Sequence, residues 1–281
     1  MIELNSKDPR IKPLLKWAGG KSSLIASLTE FFPTKFDRYM EPFVGGGAVF
    51  FSLQFGNPSL VNDFNLEIVS LYEVVRDQPG ELMTELTEMA RHYSEEYFYM
   101  VRSQTPEGKC ARAARTIFLN KTGFNGLYRQ NAKGGFNVPF GKRPQCPALF
   151  DEANLIRASQ LLHSASLSSC DFEVIIDKAG KGDFVYCDPP YEPLTKTSSF
   201  NSYKGGGFTQ ADQLRLMNCC ARAAQRGAWI VISNSAADFI KDLYKEHNIH
   251  FVQASRAINS KGDKRGKIDE VVVVFNQAEM S

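Results

Sequence analysis

Apolar positions along the chain recur with two different periods. Short runs of apolar and β-branched residues bounded by turn chemistry predict strands over 39–44, over 60–61 running into Asn62-Asp63, and over 184–187. Helical spacing predicts helices over 21–32, 48–55, 151–163 and 209–226, and further strands follow over 228–233, 250–253 and 270–275. Strand and helix alternate at both ends of the chain, which predicts an α/β sheet with helices on its faces. The middle breaks the alternation. Residues 66–108 have Leu82, Leu86 and Met89 at helical spacing, while 120–147 are so rich in Gly, Asn and Pro that irregular backbone is expected. The pattern therefore predicts an inserted subdomain over 65–148, with 1–64 and 149–281 forming one discontinuous main domain.

Composition changes this picture in one respect. A chain of 281 residues with 43% hydrophobic content can bury a sizeable core, which argues against disorder. The net charge of +2 conceals a division: residues 67–96 carry eight acidic and two basic side chains, and residues 102–143 carry nine basic and one acidic. Six cysteines show no metal-type spacing, and the first residues lack a signal peptide's apolar stretch, so reduced thiols in a cytoplasmic protein are expected. No apolar run approaches the ~20 residues of a membrane helix. His92, His163, His247 and His250 are scattered, so no metal site is expected.

Three stretches carry candidate chemistry. EPFVGGGAVF (41–50) ends a strand, turns on three glycines and enters a helix, the arrangement that brings backbone close to a ligand at a helix N-terminus; a tight turn without a ligand is the alternative. Asp63, at the end of the next strand, can accept hydrogen bonds from both ribose hydroxyls of a nucleoside. A dinucleotide fingerprint would need glycine where Phe50 stands, which leaves a nicotinamide oxidoreductase the weakest reading. LKWAGGKSS (15–23) has the tail of a phosphate-binding loop, but the loop's first glycine would fall at Leu15; Trp17 and Lys21 instead sit beside a helix start, able to stack on and hydrogen-bond a small molecule.

The most specific stretch is VYCDPPY (185–191). A core strand runs into Asp188, then into two prolines that cannot continue a ladder. An exocyclic amine on a nucleobase is a poor nucleophile until acceptors grip its hydrogens. Asp188 offers carboxylate oxygens, the Pro189-Pro190 turn offers a carbonyl of fixed direction, and Tyr191 offers a face for a planar base. A proline-stiffened structural turn is the rival explanation. Cys187 reads as core filler, since amine chemistry needs no covalent intermediate.

Taken in order, LKWAGGK, EPFVGGGAVF, VNDFN, GFNGLYRQN, GGFNVPFGK, VYCDPPYEPL, SSFNSY…FT and VISN resemble the Dam family of DNA adenine-N6 methyltransferases, over residues 14–275. The resemblance implies a Rossmann-like S-adenosylmethionine-dependent methyltransferase sheet with an inserted, mainly helical target-recognition subdomain. It implies S-adenosyl-L-methionine as cofactor, bound by Trp17, Lys21, Phe43, Gly45, Gly47, Asp63, Asp171 and Asp188, and catalysis by Asp188, Pro189, Pro190 and Tyr191. Double-stranded DNA is the implied partner, with GATC the favoured target. Lys16 and Arg129 resemble base-contacting residues, Phe124 and Leu127 match positions that wedge into the base stack, and Asn125, Tyr128 and Pro139 shape that surface. Arg143 departs from the family's aromatic residue at the outer base pair. A loop over 195–207 resembles a cover for a flipped adenine, and a basic run over 256–267 could grip phosphate. A monomer is expected; a cytosine-N4 methyltransferase and a non-catalytic DNA-binding protein are the rivals. Pairing with a restriction nuclease, solitary action and a viral origin all stay open.

Overall fold

The computed structural model describes residues 10–54, 56–131, 134–191, 207–255 and 267–275. Among these, seven strands form one sheet: β1 (Arg38–Glu41), β2 (Ser59–Asn62), β3 (Ala165–Ser168), β4 (Asp183–Cys187), β5 (Trp229–Ser235), β6 (Asn248–Ser255) and β7 (Lys267–Phe275), in the order β3-β2-β1-β4-β5-β7-β6. The first five strands pair in parallel, and β7 runs antiparallel between β5 and β6. From β1 the chain order proceeds outward one way and from β4 the other way. The crevice outside the carboxyl ends of β1 and β4 is thus the topological switch point, where ligands of open α/β sheets bind. EPFVGGG leaves β1 there, and DPPY leaves β4 beside it.

Helices follow the predicted pattern with corrections. The expected helix over 21–32 is broken into a 3₁₀ turn, a short α1 (Ile25–Leu28) and a second 3₁₀ turn; Gly20 at its head provides no side-chain cap. α2 (Ala48–Leu53) is wholly buried. α3 (Leu66–Asp77), α4 (Pro79–Arg91), α5 (Glu95–Ser103) and α6 (Lys109–Thr122) make the inserted segment mainly helical. α6 runs to Thr122, into the stretch expected to be irregular, because Gly123 and not Asn120 ends it. α7 (Glu152–Leu162) and α9 (Gln210–Gln225) match expectation, capped by Asp151 and by a Thr209–Asp212 capping box. β1 stops at Glu41, short of the expected 44, because Pro42 cannot donate to a ladder. The pattern missed β3, α8 (Phe172–Ile176) and α10 (Asp238–Leu243), all too short to show a period of their own.

β4 alternates as a central strand must. Phe184 and Tyr186 join one core, Val185 and Cys187 the other, and all four are fully buried. The first core continues without a break from the sheet through Leu71, Leu86, Phe98 and Phe118 of the inserted helices to Phe136 and Phe140 beyond them. No helix among the described residues is long and apolar enough to cross a membrane.

Candidate active site

At the end of β4, Asp188 meets a buried cation. The Lys21 ammonium, on a side chain only 2% exposed, stands 2.9 Å from Asp188 Oδ1 and 3.8 Å from Glu270 Oε2. It donates to the Gly19 carbonyl at 2.7 Å and lies 4.5 Å from the centroid of the Tyr191 ring. Such a charge requires partners, and two carboxylates, a carbonyl and an aromatic face supply them. Ser233 donates to Asp188 Oδ1 at 3.0 Å, and its own hydroxyl lies 2.8 Å from that of Tyr186. Oδ1 is therefore clamped twice. Among the described residues no donor reaches Asp188 Oδ2 or the Pro189 carbonyl, whereas the Pro190 carbonyl is taken by Gln213 Nε2 at 3.0 Å. Tyr191 donates to Glu270 Oε2 at 2.7 Å. Burial, with Asp188 and Glu270 nearby, pushes the Tyr191 hydroxyl well above its ordinary value and keeps it a neutral donor.

The glycine turn after β1 has protein reasons for each glycine. Gly45 (φ 47°) and Gly47 (φ 70°) adopt left-handed backbone. A Cβ on Gly45 would lie 2.6 Å from Trp17 Nε1, on Gly46 2.7 Å from Trp17 Cβ, and on Gly47 2.6 Å from the Phe51 ring. The turn thus closes under Trp17. Gly45 N–H donates to Asp63 Oδ2 and Asn65 N–H to Asp63 Oδ1, each at 2.8 Å, which fixes the carboxylate at the end of β2. Burial raises the Asp63 pKa despite these two bonds. Glu41, 2% exposed and accepting from Tyr39 at 2.8 Å, is pushed well up by burial. Phe43, Phe172 and Phe208 meet edge and face at 5.3 to 5.7 Å. Asp171 caps α8 and accepts a two-pronged fork from Arg215 at 2.8 and 2.9 Å. Burial works to raise Asp171, but the fork and the cap hold it below the usual carboxylate range.

Of these groups Lys21, Glu41, Phe43, Gly45, Asp63, Asp171, Asp188 and Tyr191 line one cleft of about 1580 Å³, which Lys16, Asn125, Tyr128 and Arg143 also line. That exceeds the ~300–1,000 Å³ of a pocket for one small molecule. The far wall is a hairpin-like segment closed by bridges Gly123↔Phe140 and Gln130↔Phe136. Asn120, fully buried, ties it to the Trp17 segment by pairing with both Lys16 N–H and Lys16 C=O and donating to the Gly126 carbonyl. Phe124 is 49% exposed, whereas Leu127 is half-buried against the core. Arg129 is exposed, and its guanidinium donates to Asn137 Oδ1 at 2.7 Å and to the Asn137 carbonyl at 3.2 Å. Pro139 is exposed and accepts from Phe124 N–H at 2.9 Å. Several members of the basic stretch are structural: Arg102 and Arg115 donate to carbonyls, and Lys109 pairs with Glu73.

A family model for D12 class N6 adenine-specific DNA methyltransferases matches residues 17–258. The chain is 40% identical to a type II methyltransferase of Lactococcus lactis subsp. cremoris, covering 94% of this chain and 95% of the relative. The chain belongs to the D12 class of N6 adenine-specific DNA methyltransferases. It is 41% identical to a type II methyltransferase of Methanocaldococcus jannaschii, over 91% of this chain and 95% of that one. It is 32% identical to the DNA adenine methylase of Escherichia coli, over 96% and 97%. The family implies DNA as substrate and S-adenosylmethionine as methyl donor.

The methyltransferase brings Trp17, Lys21, Phe43, Gly45, Asp63, Asp171, Asp188, Pro189, Pro190 and Tyr191 to one cleft, as the sequence predicts. Gly47 sits just behind the wall, under Phe51. Sequence reasoning missed Glu41, Ser233 and Glu270. Glu41 stood inside a quoted motif and Ser233 inside VISN, but Glu270 gave no local signal, because only sheet pairing brings β7 to β5. Residues 192–206 and 256–266, the expected cover and most of the basic run, lie outside the described residues.

Proposed function

We propose that this methyltransferase extrudes an adenine from duplex DNA, within GATC, and methylates its N6 in the cleft at the ends of β1 and β4. One observation carries the reading. Lys21 and Ser233 clamp Asp188 Oδ1, which leaves Oδ2 and the Pro189 carbonyl, both at the end of β4, as acceptors that no donor reaches among the described residues.

An exocyclic amine has two hydrogens, and these two acceptors match them. Gripping both hydrogens favours a pyramidal nitrogen with its lone pair directed outward. Tyr191, held by Glu270 and Lys21, supplies the stacking face. Asp188 acts as acceptor and orienter, with Lys21 and Ser233 fixing the direction of its carboxylate.

The residues present fit S-adenosylmethionine. Asp63 retains acceptor capacity after its two backbone bonds, since a carboxylate offers about four lone-pair sites, and can take both ribose hydroxyls. Glu41, Asp63 and Asp188 line the cleft with carboxyl oxygens that can accept hydrogen bonds from a ligand's ammonium and hydroxyl groups. Phe43 and Phe172 line the adjoining wall, Trp17 covers the glycine turn, and Asp171 stands at the rim. When bound, the cofactor supplies an electrophilic methyl on its sulfonium.

On the DNA side, segment 65–148 serves as the target-recognition part. Arg129 and Lys16 read base edges, the Arg fork suiting guanine O6 and N7. Phe124, exposed at the base of the hairpin beside the Gly123↔Phe140 bridge, wedges into the stack, with Leu127, Asn125 and Pro139 shaping the surface around it. Arg143 faces the outer base pair. Extruding a base costs a few kcal/mol of unstacking.

The test is to incubate the protein with S-adenosylmethionine and methylation-free plasmid, then map N6-methyladenine by long-read sequencing. Marks confined to GATC are expected; marks at an unrelated motif would overturn the target, and unmodified DNA would overturn the activity. Asp188→Ala should lower turnover by at least about 10²–10³-fold while DNA binding persists, and near-normal methylation by it would remove Asp188 from its role.

A further inference from the structure

We propose that Glu67 is a positioning residue that determines target discrimination by presenting Arg129 to DNA. The inference rests on the reading of Arg129 as a base-contacting residue.

Glu67 lies in the first turn of α3 and collects donors from two other elements. Its Oε1 accepts from Thr116 of α6 at 2.5 Å, with Arg115 Nη1 at 3.8 Å. Its Oε2 accepts from Tyr128 at 2.9 Å and from Gln130 Nε2 at 2.7 Å. Tyr128 and Gln130 flank Arg129. In extended backbone successive side chains point to opposite sides, so drawing 128 and 130 onto one oxygen turns 129 the other way. Arg129 is indeed exposed, and its carbonyl accepts from Asn137 N–H at 3.0 Å across the hairpin.

The same carboxylate reaches the cofactor side. Tyr128 stacks on Trp17 with ring centroids 5.0 Å apart and planes 24° apart. Glu67 N–H donates to Asn65 Oδ1 at 3.0 Å, and Asn65 N–H donates to Asp63. Base reading and methyl transfer succeed together only if the Arg129 segment stands at a set distance from the cleft, and Glu67 joins the two walls.

Glu67→Gln leaves one acceptor oxygen for two sets of donors, so an amide N–H₂ faces either the Tyr128–Gln130 pair or the Thr116–Arg115 pair and the four-way tie is broken. Three readouts test the consequence: kcat/KM on a target duplex and on one with a single base pair changed, cofactor affinity without DNA, and thermal melting. The ratio of the two kcat/KM values should fall on the order of tenfold, the scale of one lost bidentate base contact, while cofactor affinity without DNA stays within about threefold. Equal loss on both duplexes, or an unchanged ratio, would overturn the positioning role. Gln130→Ala should lower the ratio in the same direction and decides the matter if Glu67→Gln does not fold. Arg129→Ala separates the two readings. If that variant discriminates as the wild type does, the base-reading assignment falls; if it loses discrimination and Glu67→Gln does not, only the role of Glu67 falls.

Discussion

Carboxylates around the cleft titrate away from their ordinary range in opposite directions, and their partners explain which way. Burial raises Glu41 well up, opposed by the Tyr39 hydroxyl and a Phe50 N–H; Glu270 also rises, with burial outweighing Lys21. A carboxylate whose folded pKa exceeds its unfolded value contributes stability that is full at acid pH and is lost as pH climbs through the folded value. Glu41 therefore makes the protein less stable as pH rises above the ordinary carboxylate range. In Glu41→Gln the amide oxygen still accepts from Tyr39, so the decline in Tm with rising pH should become shallower. A melting series from pH 5 to 9 checks this, and an unchanged slope would contradict it. Asp171 has the reverse sign: its folded value is lowered, so its contribution fades on acidification. With the side chain 38% exposed, that contribution is on the scale of a surface ion pair, up to about 1 kcal/mol.

Among the elements, the glycine turn and the hairpin over 123–140 are each held by contacts that cannot shift independently. Gly47 at φ 70° caps the N-terminus of α2, and the Phe51 ring occupies the space of its absent side chain. Gly47→Ala should destabilise by about 1–3 kcal/mol in urea unfolding, from left-handed strain alone. It should also weaken cofactor binding, because the turn and Asp63 share the Gly45 N–H bond. A variant with wild-type stability and affinity would show that the turn relaxes freely. The hairpin was legible as Gly- and Asn-rich irregular backbone, but its fastening was not: Asn120 and Glu67 act across sequence separations of up to 104 residues.

For the whole molecule, one core runs from the sheet into the inserted helices, so the two parts should unfold together. Phe98 of α5 is fully buried and packs on Phe118 and Phe140 at the far end of this core. Phe98→Ala should cost about 3–5 kcal/mol and lower a single calorimetric transition. A separate low-temperature transition would instead show segment 65–148 to be an autonomous unit.

The order of motifs and the alternation of strand and helix determined the α/β class, the cleft residues Trp17, Lys21, Asp63, Asp188 and Tyr191, and the helical stretch that follows Asp63. These were readable because each rests on local chemistry: a proline that ends a strand, a glycine turn, an acid at a strand end. The tertiary structure alone decided which acceptor of DPPY stays open, since Gln213 and Ser233 come from α9 and β5. It also decided that Glu270 sits beside Lys21 and that Glu67, one acid in an acidic run, joins the hairpin to the cleft. Both depend on pairing distant segments, and burial and partner choice at a carboxylate leave no periodic trace in the chain that carries it.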